Sequence, residues 1–220
     1  MSIFPLYIYF IFISFVASCL VYFRREPAPV YLKAFPLYLL ATLIAESIGS
    51  YWSSIQKNNV ALYNFFTVFE FCFYLWVISQ IIYSRVAKRV ISLVMVLYSI
   101  GAVVNIIFIQ KMQAFHTFTY AIGCLLIVAA CVYYFFELFR LPKAVKLVNT
   151  PAFWICSGLL FFYCCGFPLY GFTNFLIGIS TLIITNFMAI ITILNIFLYS
   201  IFTIAFLCRL KTRKYTSSSS

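Results

Sequence analysis

The most informative stretch of this chain reads Val60-Ala-Leu-Tyr-Asn-Phe-Phe-Thr-Val-Phe-Glu-Phe-Cys-Phe-Tyr-Leu-Trp-Val-Ile-Ser-Gln-Ile-Ile-Tyr83. Glu70 is its only charged residue, and the stretch exceeds the about 20 mostly apolar residues that a membrane-spanning helix needs. Six further stretches of this kind lie at roughly 3–23, 34–55, 90–109, 115–136, 151–170 and 185–208. The sequence therefore predicts an all-α membrane protein with seven transmembrane helices in one domain, residues 1–214, followed by a disordered polar tail, residues 215–220.

The composition excludes the soluble classes of protein. Of the 220 residues, 65% are hydrophobic and 9% are charged, whereas globular domains average about 45–50% and about 25%. A soluble surface needs far more charge than this, so a soluble enzyme, a disordered protein and a secreted disulfide scaffold are excluded. The eight cysteines lie within or beside apolar stretches and show no Cys-x-x-Cys spacing, so we expect them to pack as small hydrophobes.

The basic residues between the stretches predict the orientation of the chain. The loops after the first, third and fifth stretches, together with the C-terminal tail, carry 13 of the 15 Lys and Arg residues, and Lys57 and Lys111 lie on the other side. By the positive-inside rule, the N-terminus is outside and the C-terminus is cytoplasmic, which predicts a bacterial inner-membrane protein. This rule accounts for the net charge of +11, so we expect no nucleic-acid partner. The first stretch has no basic leading region and no cleavage site, so we expect it to be retained.

The positions of two basic loops suggest an internal repeat. One joins helices 1 and 2, and helix 2 is predicted to begin near Pro36; the other joins helices 5 and 6, and helix 6 is predicted to begin at Pro151. Two three-helix units joined by helix 4 would give a three-one-three arrangement, as in some seven-helix transporters. The positive-inside rule alone also makes such loops similar, and both interpretations stay open.

Glu46 and Glu70 are the most costly residues within the predicted spans. Each lies roughly 14–15 Å below the outer surface at about 1.5 Å per residue, close to the bilayer midplane. The short connection at residues 56–59 makes their helices antiparallel neighbours, so the two carboxyl groups can share one site. An ionised carboxylate at this depth costs at least about 2.5–3.5 kcal/mol. We therefore expect one or both to be protonated or to hold a bound cation.

Polar side chains recur at helical spacing around these glutamates. Helices 2, 3 and 7 each carry a polar stripe, and helices 4 and 5 add polar residues near their outer ends. They would form an inward-facing pocket in the outer half of the bundle, or they would join helices by hydrogen bonds of about 0.6 kcal/mol each. Glu137, beside Arg140, is expected to be a surface charge. The candidate ligand-binding or proton site comprises Glu46, Glu70, Ser50, Tyr74, Asn105, His116, Tyr120 and Asn195.

The sequence lacks the motifs of several membrane enzymes. Helix 7 has no lysine for a retinal Schiff base, and one histidine with no aspartate excludes the patterns of zinc hydrolases and diaspartyl proteases. The segment Cys156-Ser157-Gly158 lacks the first glycine of the Gly-x-Ser-Gly motif of a serine protease. We therefore expect no prosthetic group and no catalytic residue, while the sequence leaves open whether a metal ion binds.

A second pattern combines several separate segments. It consists of Glu46, Asn58-Asn59, Tyr63…Glu70-Phe71, Pro151-Ala-Phe-Trp154…Ser157-Gly158…Phe161-Phe-Tyr163 and Asn195…Tyr199. This pattern resembles a family of small seven-helix inner-membrane proteins of Bacteroidetes, over similar lengths. Some of those proteins accompany histidine kinases or response regulators, so the resemblance implies a role in sensing. It implies no catalytic residue.

These observations favour three functions, in a definite order. The first is a sensory or signalling component that binds a small ligand or cation in the outer half of the bundle, with Glu46 and Glu70 as its central groups. The cytoplasmic loops are too short to catalyse a reaction, so this function requires a cytoplasmic or membrane signalling partner besides the lipid bilayer. The alternative is a small proton-coupled transporter that uses the same glutamates. A lipid-modifying enzyme comes last, because the sequence shows neither a nucleophile–base pair nor a metal cage.

The distribution of basic residues makes the orientation testable. A reporter enzyme that is active only in the cytoplasm should be active when fused after Lys214 and inactive when fused at Asn58, because the basic loops stay on the cytoplasmic side. The measurement is reporter activity in cells at matched expression. Activity at Asn58 without activity after Lys214 would reverse the orientation.

Overall fold

The computed structural model describes residues 5–23, 28–109, 114–140, 147–171 and 181–216. Every regular element within these ranges is helical. Two short elements are a π-helical turn, Asn105–Ile109, at the end of α4, and a 3-10 turn, Leu147–Asn149, before α6. The α-helices are α1, Tyr7–Cys19; α2, Val30–Ser54; α3, Val60–Ile81; α4, Arg85–Val104; α5, Thr117–Phe139; α6, Pro151–Gly171; and α7, Thr181–Thr216.

Six of the described helices, α2 to α7, contain stretches long and apolar enough to cross a membrane. The helix α1 is apolar but has only 13 residues, fewer than the about 20 that a span needs. The predicted helix 3–23 is too long at its C-terminal end, because α1 ends at Cys19. After Cys19 the chain continues in tight turns, in which the N–H groups of Leu20, Val21 and Tyr22 each bond the carbonyl three residues earlier.

Three helices begin or end at residues other than the predicted ones. The helix α2 begins at Val30, directly after Pro29, so Pro36 lies inside the helix and does not mark its start. The helix α4 begins at Arg85, not near residue 90, because the Ser84 side chain accepts a hydrogen bond from the N–H of Ala87. The helix α7 begins before residue 185 and continues beyond residue 208. The prediction of a disordered tail from residue 215 is wrong for residues 215 and 216, because α7 continues to Thr216. Residues 217–220 of the predicted tail lie outside the described residues.

The helices form a closed bundle with one peripheral member. Helices that follow one another in the chain are in contact, from α1 to α7, and α1 also packs against α7. The helix α3 contacts α2, α4 and α5. Within the described part of the bundle, α4 is the outermost spanning helix, since Tyr98 and Ala102 are its only buried residues.

Aromatic rings fill the centre of the bundle. Phe35 of α2 is fully buried and makes edge-on contacts with Phe73, Phe202 and Phe206 at centroid distances of 5.2, 5.4 and 5.3 Å. The ring of Tyr38 stacks on Phe73 at 4.1 Å. Each such pair contributes about 0.5–1.5 kcal/mol beyond the area that it buries. In lipid the hydrophobic effect contributes little to the association of helices, so close packing of this kind is a main source of the bundle's stability.

The connection between α2 and α3 places these helices side by side. Gln56 has a φ of 56°, the left-handed conformation that commonly ends a helix. The N–H of Lys57 bonds the carbonyl of Trp52 at 2.8 Å, and the N–H of Gln56 bonds that of Ser53 at 3.1 Å. These bonds terminate α2 and satisfy two of its last carbonyls, so the chain reverses within a few residues and enters α3 at Val60.

Glu137 is not a free surface charge, contrary to expectation. Its two carboxylate oxygens accept hydrogen bonds from the backbone N–H groups of Tyr83, at 2.7 Å, and Ser84, at 2.9 Å. These residues precede α4, so the end of α5 is fastened to the start of α4. Arg140 lies over the ring of Phe136 at 3.8 Å. No local sequence pattern indicates this clamp, because it joins residues more than 50 positions apart.

Candidate functional site

The carboxylate of Glu46, on α2, accepts hydrogen bonds from two phenol groups. The hydroxyls of Tyr7, on α1, and Tyr63, on α3, lie 2.8 and 3.1 Å from the same oxygen, Oε2. Gly49, one turn after Glu46, makes room for this arrangement, because a Cβ atom there would collide with the Tyr63 hydroxyl. Glu46 thus joins three helices and remains partly exposed.

Glu70, on α3, is the end of a chain of hydroxyl groups. The Tyr38 hydroxyl lies 3.1 Å from Oε1 of Glu70 and 2.7 Å from the Tyr74 hydroxyl. A phenol has one hydrogen to donate, so when Tyr38 donates to Glu70, Tyr74 must donate to Tyr38. Both tyrosines are fully buried, and Tyr74 occupies the same face of α3 as Glu70, one turn further on. This chain links α2 and α3 a second time.

The two glutamates have no cationic partner among the described residues. They also share no hydrogen-bond donor, since Glu46 accepts from Tyr7 and Tyr63 and Glu70 accepts from Tyr38, and neither forms an ion pair in the part of the chain that the structure describes. Between Lys33 and Lys57, α2 contains no basic residue, and α3 contains none at all. Phenol donors stabilise a carboxylate but add no positive charge. A negative charge on either glutamate is therefore unfavourable here, and each carboxyl group has capacity for a proton or a small cation.

Two further tyrosines face this pair from the other side of the bundle. Tyr163 of α6 and Tyr199 of α7 are buried and interact electrostatically with Glu70. The Tyr163 hydroxyl is enclosed and lies near the Glu70 carboxyl group, beyond normal hydrogen-bond distance. An enclosed hydroxyl without a partner costs about 1–3 kcal/mol. It is available to bond a ligand or water beside Glu70.

The other candidate residues lie outside this cluster. Ser50 makes no hydrogen bond within the described ranges, and the side chain of Asn195 donates to the carbonyl of Ile191 in its own helix at 2.9 Å. The Tyr120 ring packs in the aromatic core, 5.2 Å from Phe71. Three threonines of the predicted stripes also bond their own helix. Thr42, Thr67 and Thr192 donate to carbonyls four residues earlier.

His116 belongs to a second buried network, at the start of α5. Its ring nitrogens Nε2 and Nδ1 each lie 2.6 Å from a threonine hydroxyl, of Thr67 and Thr119 respectively. Its backbone N–H donates to Oδ1 of Asn64 at 3.2 Å, and Asn64 donates to the carbonyl of Ala114 at 3.0 Å. His116 is fully buried, and this burial lowers its pKa to about 4. The ring is therefore neutral at pH 7, and both of its nitrogens are used.

Tyr7, Tyr38 and Tyr163 are absent from the site predicted from the sequence. Each lies in an apolar stretch, where tyrosine is normally read as part of the aromatic packing. The available signal was the number of tyrosines, 17 in 220 residues, since a buried phenol hydroxyl needs a partner. Pairing those hydroxyls with the glutamates requires the packing of α1, α2, α3 and α6.

The chain was compared with protein-family models, with curated proteins and with solved structures, and none of them matches it. No relative therefore supplies a substrate, a partner or a site residue. The resemblance to Bacteroidetes membrane proteins stays a prediction. The residues around Glu46 and Glu70 and those around His116 are the evidence for function.

The buried histidine predicts a pH-dependent stability. Because the folded state favours neutral His116, stability should be full above the ordinary value of 6.5 and fall as the pH approaches about 4. The loss should reach about 3 kcal/mol. The measurement is the thermal unfolding midpoint of the purified protein across this range. His116→Gln should flatten this part of the curve, and the same slope in both proteins would contradict the assignment.

Proposed function

We propose that this chain is a seven-helix inner-membrane protein that binds a proton or a small cationic ligand at Glu46 and Glu70. In this proposal α1 and the turns that follow it, residues 5–23, cross the membrane together as the first span, so the N-terminus is outside and the C-terminus is in the cytoplasm. We propose further that it serves as a sensory or signalling component and acts through a partner protein, and that its helices follow a three-one-three plan. The observation that carries the proposal is the presence of two carboxylates on neighbouring helices, each with phenol donors and without a cationic partner among the described residues.

The chemistry of the pair favours a cation over other ligands. Both carboxylates lie within membrane-spanning helices, where an uncompensated negative charge is expensive. A bound cation would remove that cost, and the hydroxyls of Tyr38, Tyr63 and Tyr163 supply oxygen atoms around it. The described residues contain no cluster of three or more His, Cys, Asp or Glu side chains that could hold a metal ion. A proton or a singly charged cation fits this donor set best.

Glutamine substitution separates binding from structural hydrogen bonding. Glutamine keeps the shape of glutamate and accepts a phenol hydrogen bond, but it carries no titratable proton. If the pair binds a cation, Glu46→Gln and Glu70→Gln should each abolish ligand binding while thermal stability holds or rises. If the two carboxyl groups hold the same proton or cation, the effects of the two substitutions should not add.

The binding assay is the unfolding midpoint of the purified protein in a panel of alkali-metal chlorides and small alkylammonium chlorides. A ligand at roughly 100 times its Kd stabilises a folded protein by about 2.7 kcal/mol. We expect at least one cation to raise the unfolding midpoint of the unmodified protein. The same cation should not raise the midpoint of Glu46→Gln or of Glu70→Gln. A shift that persists in the double Gln variant would contradict the site. So would the absence of any shift, both with these cations and when the pH is lowered to supply protons.

Glu137→Gln is the matched control for these variants. It makes the same chemical change outside the carboxylate pair. A glutamine cannot accept both backbone N–H groups of Tyr83 and Ser84, since one of its two polar atoms is a donor, so baseline stability should fall by about 1–3 kcal/mol. The cation-induced shift should remain. Its loss would show that the assay reports general destabilisation.

Reconstitution separates signalling from transport. In sealed vesicles, a transporter should move the stabilising cation across the membrane with an opposing or accompanying proton flux that Glu70→Gln abolishes. A sensory component should bind the same cation without flux. Flux that depends on both glutamates would favour the proton-coupled transporter over the sensory role and leave the binding site itself intact.

A further inference from the structure

A cavity of about 480 Å³ lies between α4 and α5, away from the two glutamates. Its volume falls within the about 300–1,000 Å³ typical of small-molecule sites. Most of its lining is apolar, with Leu97 on α4 and Ile122 on α5 facing one another. It runs along α4 and the π-helical turn from Val94 to Ile109, roughly 22 Å at about 1.5 Å per residue.

The cavity opens sideways, toward the surroundings of the bundle. Leu97, Phe118 and Ile122 line it and remain 59%, 67% and 52% exposed. These apolar side chains lie on spanning helices, so the bilayer is the medium at the opening. A ligand that enters here must be dissolved in the membrane, since no charged residue lines the cavity.

Besides Tyr98, two polar residues line the cavity, and they meet near one end of it. Asn105 begins the π-helical turn that ends α4, and its amide nitrogen donates to the Thr119 hydroxyl at 3.2 Å. Such turns are uncommon and occur frequently at functional sites. Thr119 also bonds the ring of His116. Asn105 and Thr119 lie within about one turn of the ends of their spans, so this polar part of the cavity is nearer the membrane surface and the part at Val94 lies deeper.

We propose that this cavity binds a membrane-dissolved amphiphile with an apolar body and one hydroxyl or carbonyl oxygen. The oxygen lies at Asn105 and Thr119, and the apolar body lies along Leu97, Gly101 and Ile122 toward the bilayer centre. This alignment matches that of a lipid, whose polar group lies at the surface of the membrane and whose chain points inward. The site is separate from the glutamate pair and does not depend on the proposed cation binding.

The cavity can be filled without a steric clash. A Cβ atom added at Gly101 meets no other atom within 4 Å, so Gly101→Leu places its side chain in open space. Leucine is also a better helix former than glycine, so stability should hold or rise. Ile100→Phe is the matched control, because it adds bulk at the neighbouring, 58% exposed position, which does not line the cavity.

The probe is a long-chain alcohol that carries a diazirine in mid-chain, used with the full protein in phospholipid nanodiscs. Cross-links should concentrate on the cavity residues of α4 and α5. Gly101→Leu should lower the labelling by about tenfold, whereas Ile100→Phe should leave it unchanged. The alcohol should label the protein more strongly than the same hydrocarbon chain without its hydroxyl group. Asn105→Leu should remove this preference. The thermal unfolding midpoint of this variant serves as the control that it is folded.

Three results would overturn the proposal. Cross-links spread evenly over the lipid-facing helices would show general contact with lipid. Equal labelling by the alcohol and the hydrocarbon would show that the cavity takes ordinary chains without recognising oxygen. Unchanged labelling in Gly101→Leu would place the probe elsewhere. Glu46→Gln and Glu70→Gln should leave the labelling intact, so failure here and failure of the cation site are distinguishable.

Discussion

Two carboxylates share the interior of an apolar bundle with no basic side chain beside them in the described part of the chain. This electrostatic constraint explains the arrangement of the surrounding residues. Glu46 and Glu70 need hydrogen-bond donors, and the neighbouring helices supply phenol hydroxyls from Tyr7, Tyr63 and Tyr38. Each of those bonds crosses between helices, so satisfying the carboxylates also joins α1, α2 and α3.

The packing of the helices follows from the same requirement. Lipid competes equally well for apolar side chains, so close contact between helices depends on shape and on hydrogen bonds. Gly49 lets the Tyr63 hydroxyl reach Glu46, and Gly123 lets the ring of Phe71 approach α5. The helix α3 carries Glu70 and also Thr67, which bonds His116. Both polar networks therefore depend on the placement of this helix.

The sequence allowed the helical membrane class to be predicted but not the details that join helices. Apolar stretches and the shortage of charge are properties of composition, and they indicated the six long apolar helices that the structure contains. The start of α4 was placed wrongly because it depends on Ser84 and on Glu137, a residue of another helix. Glu46 and Glu70 could be identified because an ionised carboxylate in a membrane costs free energy. Tyr38 and Tyr163 could not, since the groups near their hydroxyls lie on other helices and depend on how those helices pack.

The central claim is that Glu46 and Glu70 act as one unit that holds a single proton or cation. Infrared spectroscopy of the protein in lipid, with isotope-labelled glutamate, follows the protonated carboxyl band directly as the pH is varied without added cation. The account predicts a band for a buried protonated carboxyl group that changes in shape or midpoint when either glutamate is replaced by glutamine, because the remaining group loses its charged neighbour. Two independent titrations, each unaffected by replacement of the other residue, would contradict it.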